Sequence, residues 1–197
     1  MTQLTLASQS AARAQLLGNA GAPFTTASGG VDEDALKAGL LAEGVGPRDI
    51  ADALAEAKAV KVSTKRPGLV IGADQTLDLD GALYDKAKTT AEARERLRTL
   101  RGKTHKLHSA VVVAQDGVPI WREVSTATLS MRPFTDDFLE NYLRQQGSSV
   151  LSSVGCYMLE GEGLQLFDRV DGDYFTILGL PMMGLLDLLR RHGVLEL

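Results

Sequence analysis

The sequence has little of what marks several large classes of protein. Its 197 residues include one cysteine, Cys156, which excludes a scaffold held together by disulfide bonds. No apolar run approaches the roughly 20 residues that a membrane-spanning helix requires, so no membrane partner is expected. The first six residues lack the basic start and long apolar core of a secretory signal peptide. A cytoplasmic location is therefore expected.

The sequence also has little net charge. The chain carries 21 basic and 25 acidic side chains, for a formal charge of −4. Non-specific binding to nucleic acid depends on clustered basic charge, so no nucleic-acid partner is expected. A small anionic ligand held by a few local cations is not excluded. Hydrophobic residues make up 44% of the chain, which excludes a wholly disordered protein.

The chain has no long linker, repeat or low-complexity segment, so residues 1–197 are predicted to form a single domain. Strand-like and helical patterns alternate early, and hairpin patterns dominate the middle. The predicted strands span residues 4–7, 22–28, 69–73, 105–114 and 120–131, the last two forming a long hairpin, and two shorter hairpins are predicted over 77–84 and 164–178. The predicted helices span residues 11–17, 48–62, 89–100 and 135–145, with a last helix after Pro181. This order predicts an α/β fold in which helices pack on a mixed sheet.

A first candidate site is the turn between the first strand and the first helix. A helix N-terminus presents unpaired backbone N–H groups and a partial positive charge. The hydroxyls of Ser8 and Ser10, with Arg13 one turn along, could complete a cradle for a phosphate there. The alternative, which spacing alone favours, is that Ser10 only caps the helix and Arg13 lies at the surface. The glycine-rich P-loop signature is absent.

A second candidate is Asp74, which directly follows the apolar run 69–73. Ligands of open α/β sheets bind beyond the carboxyl ends of strands, where an acid can hold a divalent metal or activate water. The alternative is a simple turn residue. Glu33, in the acidic segment 31–34, could supply a second carboxylate, although such segments are usually only solvated.

Two lysines and two histidines complete the candidates. Lys58 lies about 40° around its predicted helix from the apolar stripe, so its side chain either reaches water or points into a cleft. Reaching water is the commoner outcome for such a lysine, and Lys86 after the 77–84 hairpin would ordinarily be solvated as well. His105 and His108 fall on opposite faces of a predicted strand, so they are not expected to share a metal ion.

Short motifs follow one another in a characteristic order along nearly the whole chain. They are Leu6-Ala7-Ser8-Gln9-Ser10-Ala11-Ala12-Arg13, Val31-Asp32-Glu33, Glu56-Ala57-Lys58-Ala59, Ile71-Gly72-Ala73-Asp74, Asp85-Lys86-Ala87, Arg101-Gly102-Lys103-Thr104-His105, Glu160-Gly161-Glu162-Gly163, Asp171-Gly172-Asp173-Tyr174-Phe175 and Gly179-Leu180-Pro181. No single motif is decisive, but the ordered set is highly specific. The sequence resembles the Maf-like family of nucleoside triphosphate pyrophosphatases, also called septum formation inhibitor Maf.

The resemblance implies a fold and an activity. The implied fold is the elongated α/β fold of the inosine triphosphatases, with a mixed sheet, packed helices and a central cleft, and homodimers are common. The implied reaction converts nucleoside triphosphates to monophosphates and pyrophosphate with a divalent metal, Mg²⁺ or Mn²⁺, and clears unwanted nucleotides. Two alternatives remain: a non-catalytic regulatory protein that affects cell division, and a phosphomonoesterase that would release orthophosphate.

The resemblance also implies roles for nine residues of this chain. The acid matching Asp74 is the proton acceptor of the family, and together with Glu33 it would hold the metal. The implied catalytic residues are Glu33, Lys58, Asp74 and Lys86. The implied substrate-binding residues are Ser8, Ser10, Arg13, Gln75 and Glu160.

Four positions bear on the choice of base. Gln75 and Glu160 resemble the branch of the family that acts on 7-methyl-GTP. Ala11 and Ala12 stand where the branch preferring thymidine and uridine triphosphates has Pro and Arg, and the 7-methyl-GTP branch has Trp at the second of these positions. The pattern favours the 7-methyl-GTP branch, without the aromatic platform that a Trp would give.

Overall fold

An open mixed sheet of seven strands forms the centre of the computed structural model, which describes residues 2–196. The strands are β1 (Leu4–Ala7), β2 (Thr25–Thr26), β3 (Leu69–Leu79), β4 (Ala82–Tyr84), β5 (Thr104–Gln115), β6 (Val118–Met131) and β7 (Phe167–Asp171). Six of them lie in the order β2-β1-β3-β5-β6-β7, and β4 pairs with the last residues of β3. β1 is parallel to β2 and β3, whereas the other pairs are antiparallel.

Helices pack on this sheet and connect its strands. They are α1 (Ala11–Asn19), α2 (Glu33–Ala42), α3 (Pro47–Ser63), α4 (Thr90–Leu100), α5 (Asp136–Gln146), α6 (Tyr174–Ile177) and α7 (Met183–Arg191). Two short 3₁₀ segments, Gly147–Ser152 and Glu162–Leu166, lie between α5 and β7. The predicted α/β fold with a mixed sheet and packed helices is confirmed.

Helix α3 lies unusually close to strand β3. The helix turns the fully buried Ala55 and Ala59 toward the sheet, and the strand has Gly72 at the contact. A Cβ atom on Gly72 would collide with the Ala55 carbonyl oxygen and lie 2.8 Å from the Ala59 Cβ. The absence of a side chain at Gly72 therefore sets how closely the helix approaches the strand.

Two large hydrophobic clusters stabilise the two ends of the sheet. One cluster joins α1 and α7 to β1 and the first half of β3, and it includes Leu17, Ile71 and Leu189. The other joins α4 and α5 to the opposite ends of β5 and β6, and it includes Leu97 and Leu139. Burial of these side chains is the main force that holds the helices on the sheet.

Both early hairpin predictions are confirmed, because their turn residues suit the tight turns that the strands require. Asp80-Gly81 joins β3 to β4 with φ angles of 54° and 84°, and Asp116-Gly117 joins β5 to β6 with 51° and 82°. Two successive positive φ angles match the right-handed twist of a hairpin, and an Asp-Gly pair tolerates them best.

Three predicted elements are wrong in type or extent. Residues 164–178 do not form a hairpin, because β7 pairs with β6 and Asp173 caps the short helix α6 by accepting from two backbone N–H groups. The predicted strand over 22–28 shortens to Thr25–Thr26. The acidic segment 31–34 is not a simple turn, because α2 begins at Glu33 and the Asp32 side chain caps it by accepting from the Ala35 backbone N–H.

The position of Asp74 also differs from the prediction. Strand β3 continues to Leu79, so Asp74 lies in its middle rather than beyond its end. The apolar run ended at Asp74 because the residues after it alternate in polarity. Such a pattern extends a strand as readily as it ends one.

No helix within residues 2–196 has both the length and the apolar character needed to cross a membrane.

Candidate active site

A cavity of about 1100 Å³ opens beside the middle of β3. The structure brings all nine predicted site residues to its wall, from positions up to 152 residues apart. They are Ser8, Ser10, Arg13, Glu33, Lys58, Asp74, Gln75, Lys86 and Glu160.

The cavity exists because β1 is shorter than its neighbour. β1 pairs in parallel with β3 only as far as Ala7, which lies opposite Gly72. Beyond that point the chain turns away into α1, and the next residues of β3 lose their partner on this side. The expected crevice at the carboxyl end of a strand is therefore found, but the strand that ends there is β1. Asp74 faces the opening that results.

Lys58 contacts two carboxylates at the floor of the cavity. Its Nζ lies 2.7 Å from Asp74 Oδ1 and 3.0 Å from Glu33 Oε2. The Lys58 side chain is only 8% exposed, so the commoner outcome of reaching water does not apply here. Gly29 packs against the Lys58 stem, and a Cβ atom there would lie 2.8 Å from Lys58 Cγ. The close approach of α3 to β3 places this ammonium beside Asp74.

Burial changes the acidity of Asp74. Loss of hydration raises the pKa of this carboxyl above its ordinary value, and the positive charges of Lys58 and Arg13 oppose that rise. Only one of its oxygens, Oδ1, has a hydrogen-bond partner among the residues that the structure describes. The second oxygen is thus available for a proton, a water molecule or a cation.

Arg13 is held by the surrounding chain rather than lying free at the surface. Its Nε donates to the Gly179 carbonyl at 2.7 Å, and its Nη1 donates to the Ala73 carbonyl at 2.9 Å and to Ser8 Oγ at 3.3 Å. Burial lowers the pKa of Arg13, and the negative charges of Asp74 and Glu33 oppose that effect. An arginine remains charged under these conditions and presents a fixed positive group to the cavity.

The first turn of α1 has the geometry expected of a capped helix. Ser10 Oγ accepts from the Arg13 backbone N–H, and Ser8 Oγ accepts from the Ser10 backbone N–H at 3.2 Å. Capping and ligand binding are compatible, because both residues also line the cavity. The two interpretations of this turn are therefore not exclusive.

Lys86 reaches the same cavity from the loop between β4 and α4. Partial burial lowers the pKa of its ammonium group, and the charge of Arg13 lowers it further. Three positively charged side chains therefore line the same cavity, Arg13 from α1, Lys58 from α3 and Lys86 from this loop. Asp74 and Glu33 only partly offset them.

The rest of the cavity wall has a different character. Gln75 Nε2 donates to Ser109 Oγ and to the Ile177 carbonyl, both at 2.9 Å, and this holds the amide against α6. Glu160 is exposed at the rim, and Tyr157 forms part of the wall. Apolar side chains, among them Leu107, also line the cavity.

Among the contributors to the cavity that sequence reasoning missed are Lys37 and Tyr157. Lys37 on α2 contacts Asp85 at 2.6 Å across the opening, and the failure to predict α2 concealed it. Tyr157 was missed because a single aromatic residue in an irregular segment has no periodic signal. Its hydroxyl contacts His105 Nε2 at 2.7 Å inside the protein.

The floor of the cavity offers two carboxylate groups to a divalent metal, which is fewer than a site made only of protein groups would need. Residues 2–196 contain no cluster of three or more side chains of the types that bind metal ions. His105 contacts Tyr157 and His108 contacts Asp78 and Thr126, so the two histidines share no site. Asp74 and Glu33 offer two carboxylate groups that lie close together, because both contact the ammonium group of Lys58. Mg²⁺ is commonly bound by one or two carboxylates with substrate phosphates and water completing its shell, which fits this pair.

Comparisons with known proteins agree with this geometry. The family model described as Maf-like protein matches residues 3–192. A nucleoside triphosphate pyrophosphatase from Caulobacter vibrioides is 69% identical over 99% of this chain and 98% of its own length. One from Sphingopyxis alaskensis is 52% identical over 97% and 98%. A 7-methyl-GTP pyrophosphatase from Brucella abortus is 49% identical over 98% of each chain. The predicted family is confirmed: this chain belongs to the Maf-like proteins.

Proposed function

We propose that the protein hydrolyses nucleoside triphosphates to nucleoside monophosphates and pyrophosphate. The observation that carries this proposal is the contact of Lys58 with both Asp74 and Glu33 at the floor of a cavity that Arg13 and Lys86 also face. A triphosphate brings several negative charges, and Arg and Lys side chains form strong charge-assisted hydrogen bonds with phosphate oxygens. Relatives named as pyrophosphatases support the enzymatic reading over the regulatory alternative.

The proposed reaction is an attack by water on the α-phosphorus. A bond forms between the water oxygen and phosphorus, and the bond from that phosphorus to the bridging oxygen breaks, releasing pyrophosphate. Asp74 accepts the proton of the water. The raised pKa of Asp74 makes its carboxylate a stronger proton acceptor than an exposed aspartate.

The cations stabilise the charge that develops during this step. Arg13 and Lys86 face the space where phosphate oxygens would lie, and Lys58 can exchange a carboxylate contact for one of them. Fixed positive groups in a space with little water stabilise such charge more strongly than the same groups in bulk solvent. Asp74 and Glu33 would hold a divalent ion, Mg²⁺ or Mn²⁺, which would neutralise phosphate charge when bound.

A guanine-type base, with 7-methyl-GTP among the substrates, is the proposed specificity. Glu160 has a carboxylate that can accept hydrogen bonds from the N–H groups of a guanine edge. Leu107 and Tyr157 offer apolar surface to a ring. Relatives from two Brucella species, 49% and 50% identical, are named 7-methyl-GTP pyrophosphatases.

The decisive experiment is a panel of ordinary and methylated nucleoside triphosphates, incubated with Mg²⁺ or Mn²⁺. The expected products are the monophosphate and pyrophosphate, separated from orthophosphate by ion chromatography. Release of orthophosphate would favour the phosphomonoesterase alternative. A protein that cleaves none of the nucleotides would favour a regulatory role.

We further propose that residues 1–197 act as one domain, in a homodimer, in the cytoplasm. One sheet with strands from Leu4 to Asp171 supports a single domain. The resemblance to the family supports the dimer, and sedimentation at several protein concentrations would measure it.

A further inference from the structure

The loop that carries Lys86 is anchored on both sides of that residue. Before it, the Asp85 carbonyl accepts a hydrogen bond from Arg96 Nη1 at 2.8 Å. After it, the buried Ala87 packs in the same hydrophobic cluster as the buried Cys156. The backbone of Lys86 therefore has little freedom, although its side chain is exposed to the cavity.

Arg96 connects this loop to a second wall of the cavity. The same Nη1 atom donates to the Val154 carbonyl at 2.7 Å, and the guanidinium carbon lies 4.6 Å from the centre of the Tyr84 ring. Tyr84, Asp85 and Val154 all line the cavity. A side chain on α4 thus joins two segments that lie 69 residues apart in sequence and face the same space.

The contacts of Arg96 differ from those of its neighbours on α4. Arg94 pairs with Glu140, and Arg98 lies 2.9 Å from Glu95 and 3.6 Å from Asp136. Among the described residues, no carboxylate lies within ion-pair distance of Arg96, and its hydrogen bonds go to two carbonyl groups. A planar guanidinium can stack on a ring and donate in its own plane at once, which a lysine at this position could not do.

We propose that Arg96 is a positioning residue, which sets the location of Lys86 in the cavity by joining the Asp85 and Val154 carbonyls. The proposal rests on the proposed function in one respect, namely that Lys86 contacts the triphosphate. A displacement of about 1 Å at a group that stabilises a transition state is enough to lower the rate substantially.

The kinetic test compares Arg96→Met with Arg98→Met, which removes a guanidinium from the same helix at its surface. With the nucleotide that the panel shows to be cleaved fastest, Arg96→Met is expected to lower kcat about tenfold, and Arg98→Met less than about twofold. In a Lys86→Met background, Arg96→Met should lower kcat by less than about twofold, because the group that it positions is absent. An equal loss in both backgrounds would overturn the proposal, since Arg96 would then act by another route.

A second readout does not depend on turnover. The rate at which acetic anhydride labels Lys86, followed by peptide mass mapping across a pH range, reports the pKa of its amino group. The charged groups that act on this amino group are unchanged in the variant's sequence; they are Arg13, Lys58, Asp74 and Glu33. Arg96→Met should raise the pKa of Lys86 toward the ordinary lysine value as the loop opens to water, and Arg98→Met should not.

The two readouts separate the two proposals. If the wild-type protein cleaves no nucleotide, the proposed function fails, and the labelling experiment still decides whether Arg96 positions Lys86. If nucleotides are cleaved but Lys86 labels identically in the wild type and in Arg96→Met, the positioning role is overturned and the proposed function is unaffected.

Discussion

The two ends of the cavity differ in how deeply their charged side chains are buried and how regular the backbone that carries them is. At one end, Lys58 and Asp74 lie on regular elements, are almost fully buried and contact each other directly. At the other end, Glu160 lies in an irregular segment and is exposed. At the first end the fold fixes Lys58 against Asp74, whereas the exposed Glu160 can change its contacts at small cost to the fold. This difference suits a protein that performs one reaction on a chosen base.

The largest effect is expected at the buried end, from Asp74→Asn. Loss of the proton acceptor should lower kcat for pyrophosphate release about 10³-fold, within the range typical of a general base. Asp116→Asn, in the β5–β6 turn, is the matched control, because asparagine also tolerates its positive φ. A variant at Asp74 that retains wild-type kcat would show that another group takes the proton.

A somewhat smaller loss is expected from Lys58→Met, which keeps the stem of the side chain but removes its charge. We expect kcat to fall roughly 300-fold, because a fixed cation is lost and two carboxylates face each other without it. Lys65→Met is the control, because Lys65 is an exposed lysine two residues after the end of α3. Thermal unfolding of both variants will show whether the loss reflects the site alone. Retention of more than a tenth of the activity by Lys58→Met would contradict a role at the reacting phosphate.

A prediction about stability comes from His105, which lies behind Tyr157 in the cavity wall. Burial lowers the pKa of His105, which contacts Tyr157, to about 4, whereas an unfolded histidine titrates near 6.5. The folded state therefore holds the neutral form. Its stabilising effect is complete above pH 6.5 and is lost as the pH falls toward 4, by up to about 3 kcal/mol in the free energy of unfolding.

Urea unfolding at several pH values measures this slope. His105→Gln should flatten the fall between pH 6.5 and 4, while His192→Gln, at an exposed position after α7, should not change it. The same slope in wild type and His105→Gln would assign the pH dependence to other groups.

The smallest effect is expected from Glu160→Gln at the exposed end. Exchange of a carboxylate for an amide should shift relative kcat/KM among bases by about tenfold and leave the metal requirement intact. Glu162→Gln, two residues along, is the control outside the cavity wall. Unchanged relative rates across the nucleotide panel would remove Glu160 from base selection.

Regular elements with strong local signals could be predicted from the sequence. The capping pair Thr89 and Glu92 and the two Asp-Gly turns determine their structures through contacts within a few residues, which any chain segment carries with it. Helix α2 was not predicted, because its acidic first turn resembles a solvated loop and Gly39 interrupts its apolar residues.

The site residues show that a local sequence pattern does not reveal contacts with residues far away in the chain. From spacing alone, Arg13 and Lys58 resembled surface cations, and the ordered motifs of the family resemblance, rather than their own surroundings, indicated otherwise. Their surroundings depend on distant residues: Arg13 donates to Gly179, and Lys58 packs against Gly29. No local window includes both members of such a pair. The role of Arg96 is hidden for the same reason, because its partners are carbonyl groups, which every residue has.

The close contact between α3 and β3 has a consequence for how the site responds during the reaction. With Ala55 and Ala59 seated on Gly72, the helix and the strand move as one body, so the ammonium of Lys58 and the carboxylate of Asp74 keep their spacing. In water, solvent dipoles must reorient as charge shifts on the phosphate, and that reorientation costs free energy. Here the charges are already oriented, because a glycine with no functional group of its own keeps the helix and the strand together.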